Sequence, residues 1–178
     1  MRHEIGQRYS MTKNAVWVLI TMAVALLQTT WPDALKVQGV IPDLVLLLVI
    51  YFAIGEGEER AMFTGLVGGI YQDVASNAVL GHHVICLVTV GFLVGRLSTR
   101  LVTEHPAVKA GLVFCAGVLH GIFYVFIQFV QQPVSGAIYP ILNSVIPGAF
   151  YSALITPLLF PLLGWIFHRR RQAALEGI

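Results

Sequence analysis

The stretch Ala61-Met-Phe-Thr-Gly65-Leu-Val-Gly-Gly69-Ile-Tyr-Gln-Asp73-Val-Ala-Ser76-Asn-Ala-Val-Leu80-Gly81 decides how this chain is read. It is apolar enough to be a membrane helix, yet it holds a carboxylate near its middle. A charge at that depth costs roughly 2.5–3.5 kcal/mol on insertion scales, so Asp73 needs a compensating partner or a use. Gly65, Gly69 and Asp73 are four residues apart and share one helix face, with Ser76 one turn on. The carboxylate therefore lies on the face where another backbone can approach most closely.

The rest of the chain supplies the solvent for that helix. Of 178 residues, 57% are hydrophobic without glycine and only 11% are charged, with mean hydropathy +0.78. Soluble domains run at about 45–50% apolar with glycine included and about 25% charged. A soluble fold of this size could not hide so much apolar surface, so lipid is the expected surrounding. A net charge of +2 gives no reason to expect nucleic acid as a partner. Cys86 and Cys115 lie in apolar runs without metal-ligand spacing and read as small buried hydrophobes. No cofactor is implied.

A span needs about 20 mainly apolar residues. The hydropathy pattern predicts six helices in one membrane domain covering residues 1–178, at about 14–31, 37–54, 61–80, 83–97, 107–130 and 141–167. Pro147, Pro157 and Pro161 predict a kinked or partly broken last helix. Six spans put both termini on one side. Ten of the eleven basic residues then fall on that side and only Lys36 on the other, so both termini are expected in the cytoplasm. The first helix follows a basic segment but lacks a convincing small-residue cleavage site, and reads as a retained span. Trp17, Trp31 and Trp165 fall near predicted helix ends, as interfacial anchors do.

Between helices in lipid, close packing over small residues replaces the hydrophobic drive. Gly65 and Gly69, Gly91 and Gly95, and Gly117 and Gly121 give three helices that spacing. Their faces are expected to pack against each other more than against a partner's helix. Asp73 and His120 sit at similar predicted depth on helices of the same direction, so an Asp73–His120 pair is geometrically possible. The favoured reading is helix-cap or backbone hydrogen bonding by Asp73 beside a local break in helix 3. His82 and His83 read as loop residues, since two adjacent histidines lack a third metal ligand. Asp43 after Pro42 is helix-starting chemistry. Residues 131–140 form an uncharged outer connection.

The order Leu27-Gln28-Thr-Thr-Trp31-Pro32-Asp33, then Ile41-Pro42-Asp43-Leu44 with Tyr51, then Gly65, Gly69, Asp73, Ser76 and Leu80-Gly81, resembles the rod shape-determining protein MreD family. The specific part runs over about Leu27–Gly95. One departure is Asn77, where the family tends to carry glycine after the serine. The resemblance implies a multi-pass protein of the bacterial inner membrane, working with the single-span protein MreC. The wider complex it implies includes MreB filaments and the glycan polymerase RodA with its penicillin-binding transpeptidase. It also implies a fold like that of the membrane substrate-binding subunits of energy-coupling-factor transporters.

Two functions compete. A non-enzymatic scaffold of the elongation complex fits the absence of a catalytic constellation and the small extramembrane mass. A transporter subunit for a vitamin-like ligand would need several converging polar groups, for which Gln72, Asp73, His120 and Asn143 are the candidates. A membrane enzyme is the weakest reading, because paired acid–base groups are missing.

Overall fold

Pro42 brings no N–H to a preceding turn, and Asp43 offers an acceptor to the turn that follows. The central helix starts there. Asp43 Oδ1 accepts the Leu46 N–H at 3.0 Å, and the helix runs over Leu44–Gly55. The computed structural model describes residues 2–32, 34, 36, 39–76, 79–99, 105–131 and 141–176. Its regular elements are helices: α1 (Arg2–Thr29), α2 (Leu44–Gly55), α3 (Glu58–Ala75), α4 (His82–Ser98), α5 (Pro106–Gln131) and α6 (Ile146–Glu176). A π-helical turn at Ile141–Val145 leads into α6.

The bundle is organised around α2. Leu44 to Ile50, Phe52 and Ala53 are all buried, and α2 contacts each of the other five helices. Outward from it, α1 leans on α3, α3 on α4, α4 on α5 and α5 on α6. Large apolar side chains cover the outside: Leu19 and Leu26 on α1, Phe63 and Ile70 on α3, Phe126 on α5, Phe150 and Leu158 on α6 are all exposed. A helix set whose core and exterior are both apolar is the pattern expected of a protein solvated by lipid. Pro106–Gln131 and Ile141–Phe167 are long and apolar enough to cross a membrane. Asn14–Thr29, Leu44–Gly55 and His82–Ser98 are apolar but shorter.

Several sequence expectations change here. The second helix starts at Leu44, not residue 37, because Pro42 and the Asp43 cap fix its origin and Pro42 lies outside the helix. The third ends at Ala75 rather than residue 80, with Ser76 as its C-cap. The last is continuous through Pro157 and Pro161, and its irregular part is the π turn before it. The first extends back to Arg2 through polar sequence. Trp17 is not an interfacial anchor: it is buried and donates from Nε1 to Thr64 Oγ1 at 3.1 Å. Its ring meets Phe52 edge-on, and the Arg60 guanidinium lies 4.8 Å from its centroid. Residues 132–140, which make up nearly all of the uncharged connection, lie outside the described residues.

Candidate functional site

The helix faces marked by small residues meet inside the chain. A Cβ on Gly65 would stand 2.9 Å from the Leu87 carbonyl carbon, and one on Gly69 would stand 2.6 Å from the Val84 Cα. Gly91 and Gly95 answer from α4, against the backbone of Ala61 and Glu58. The two helices thus approach to backbone contact along most of their length. On α5, Gly117 faces Ala149 and Gly121 faces the Val145 side chain, which lets α6 in.

That α3–α4 contact delivers Asp73 to the start of α4. Gly81 is the N-cap of α4, with φ +99 in the left-handed region and no side chain to bond the first turn. Asp73 does it from the neighbouring helix. The Gly81 N–H donates to Asp73 Oδ2 at 2.7 Å and the His83 N–H to Oδ1 at 2.8 Å. His83 Nδ1 lies 2.9 Å from the same Oδ1. Asp73 is 1% exposed and its three contacts close the turn. Ser76 bonds back to the Gln72 carbonyl at 2.6 Å and finishes α3.

His120 is not the partner of Asp73. Its Nδ1 lies 3.4 Å from Asp43 Oδ2, since Asp43 sits at the start of α2 and Asp73 is already occupied by His83. The other ring nitrogen, Nε2, is buried with no hydrogen-bond partner among the described residues, as is Gln72 Oε1. Around Asp43, side chains from distant helices bond the free amides at the buried start of α2. Gln28 Oε1 accepts the Val45 N–H at 2.9 Å and Ser152 Oγ accepts the Asp43 N–H at 2.9 Å. Ser152, used in this way and buried, is a strut.

The two polar groups border one cavity of about 450 Å³, whose walls include Gln28, Asp43, His83, His120, Tyr124 and Ser152. A second, of about 290 Å³, shares Gln28, Ile41 and His83 with it and adds Gln72. Both lie at the end of the bundle opposite the start of α1 and the close of α6. Sequence reasoning missed His82, His83 and Tyr124. His82 is buried at the start of α4, its Nε2 3.1 Å from the Tyr124 carbonyl, and its ring stacks on Tyr124 at 4.2 Å. The signal available was spacing: Tyr124 follows His120 by one turn and therefore faces the same neighbour. Among the described residues no cluster of three or more metal-ligating side chains occurs.

A family model for the rod shape-determining protein MreD matches residues 11–169. The chain belongs to the MreD family. The match covers all the helical elements apart from the first residues of α1 and the last of α6. Asp73, its glycine face and the Asp43 cap are thus features of an MreD-family chain. MreD is a rod shape-determining family, and the two long apolar helices fit its association with membranes. No solved structure matches the chain.

Proposed function

We propose that this protein is a non-enzymatic scaffold of the bacterial cell-elongation complex, multi-pass in the cytoplasmic membrane with both termini inside. It would hold MreC directly and help couple MreB filaments to RodA and its penicillin-binding transpeptidase. The observation that carries the reading is the MreD-family match over residues 11–169. The use of the buried carboxylate supports it, because Asp73 serves as a helix cap and is spent on architecture.

A six-span bundle accommodates the short helices. At 1.5 Å per residue a 12-residue helix such as α2 falls short of the roughly 30 Å hydrocarbon core. Non-helical backbone at membrane depth is tolerable where protein surrounds it and bonds it. Gln28, Asp43 and Ser152 give that bonding to the start of α2. The fold expected from the energy-coupling-factor subunits has the same need for short, shielded helices.

Extraction in gentle detergent should bring MreC down with this protein, and depletion in a rod-shaped host should give rounded cells. Normal rods and normal MreC localisation after complete depletion would overturn the scaffold. The cavity of about 450 Å³ favours a second reading, a vitamin-like ligand held as in transporter subunits. Thermal stabilisation by a member of a vitamin panel would support it, and no shift across the panel would count against it.

A further inference from the structure

A third cavity, of about 320 Å³, lies at the opposite end of the bundle from the polar groups. It is framed by the end of α2 (Tyr51, Ile54), the first turn of α5 (Lys109) and α6 (Pro157, Phe160, Gly164). The walls are apolar except for the Tyr51 hydroxyl, the Thr156 hydroxyl and the Lys109 ammonium. Thr156 is already bonded to the Ser152 carbonyl at 2.9 Å. Among the described residues no carboxylate pairs with Lys109. The cavity reaches the outer surface of α6, where Pro157 and Pro161 are exposed and Leu158 beside them is 75% exposed.

Two further features set its chemistry. Proline has no N–H, so the carbonyls of Ala153 and Pro157 lose their partners four residues on at Pro157 and Pro161. Of the two residues, Pro157 borders the cavity. α5 also begins at this rim, with Pro106 in its first position, so the positive end of its dipole adds to Lys109. An anion, hydroxyl donors and an apolar chain are what the space complements.

We propose that this cavity between α2, α5 and α6 binds the headgroup and upper acyl chain of an anionic phospholipid of the cytoplasmic leaflet, with Lys109 on the phosphate. The proposal rests on the membrane-embedded reading above and is independent of MreC binding. The apolar walls select a lipid over a free phosphate. The exposed α6 face beside the opening leaves its chain a path into the bilayer.

The full-length protein in a mild non-ionic detergent is mixed with short-chain phosphatidylglycerol, with phosphatidylcholine of the same chains, or with inorganic phosphate. Bound lipid is read by native mass spectrometry, and MreC co-purification is measured in parallel. Phosphatidylglycerol should be retained as a one-to-one adduct in preference to phosphatidylcholine, and inorganic phosphate should not displace it. Lys109→Gln should lower retention roughly fivefold, the worth of one basic residue beside an anionic lipid surface. Gly164→Leu should lower it by filling the space, since a Cβ there meets only the Tyr51 hydroxyl at 4.0 Å. Arg96→Gln, on α4 outside the cavity, should leave it unchanged. Equal retention of both lipids, displacement by phosphate, or equal effects of Lys109→Gln and Arg96→Gln would each overturn the site. MreC co-purification that persists in that event leaves the scaffold standing, and its loss with selective lipid retention intact counts against the scaffold alone.

Discussion

Two acidic side chains sit at the same end of this bundle and end up in opposite situations. Asp73 is buried, accepts two backbone N–H groups and touches His83, so no acceptor is idle. Asp43 caps its own helix and meets His120 at only 3.4 Å, while the far nitrogen of that histidine has no partner among the described residues. The Asp73 carboxylate is fully bonded and does not line the cavity, whereas Asp43 and His120 both line it. A buried polar group that is fully bonded stabilises a fold, whereas one left half-bonded is where a binding partner gains most. The contrast is between a spent carboxylate at Asp73 and an unbonded ring nitrogen at His120.

The strongest way to break that contrast is at Asp73. Asp73→Leu should destabilise by about 3 kcal/mol or more, because the amides of Gly81 and His83 lose their acceptor inside the protein. Asp73→Asn keeps one acceptor oxygen and sets an NH2 against the other amide, so it should cost about 1–3 kcal/mol, less than Leu. Thermal unfolding in detergent measures both, and equal losses at normal expression would show that the turn needs both carboxylate oxygens. Next comes the frame that holds Asp73 in place. Gly69→Val should cost roughly 1–3 kcal/mol, since the added atoms meet the Val84 backbone, which has little room to move. Asp43→Ala should cost about 1 kcal/mol in the same assay, the usual worth of an N-cap.

The smallest stability effect belongs to His120. His120→Leu removes the unbonded Nε2 together with the long 3.4 Å contact from Nδ1 to Asp43, so stability should fall by no more than about 1 kcal/mol. Partner retention or ligand response should fall by more than stability does. A loss at His120 as large as that of Asp73→Leu would erase the distinction between the two groups.

How much of this was legible in the sequence follows from range. The glycine face and the capping use of Asp73 beside a helix break were readable, because residues four apart share a face and Gly81 marks a stop. The Asp73–His83 contact was readable in principle, since only nine residues separate the two. It was passed over by treating His82 and His83 as loop residues. The Asp43–His120, Gln28–Val45 and Asp43–Ser152 contacts join helices whose relative rotation no local pattern encodes. Equal predicted depth suggested the wrong partner for His120, because depth fixes a coordinate along the bundle axis and leaves the angle around it open. Trp17 was misplaced for a related reason: an aromatic near a helix end faces either the interface or the core, and only Thr64 and Phe52 decide which.

The bond between the Asp43 amide and Ser152 joins residues 109 apart in the chain. Helix α2 is made early and α6 last, so the start of α2 waits through most of synthesis for the hydroxyl that will bond it. Until then the Asp43 amide lacks this acceptor, whereas the amides of Val45 and Leu46 have Gln28 and Asp43, both made earlier. The last helix thus completes the start of the second, and a chain that stops short of Ser152 leaves the Asp43 amide without its acceptor.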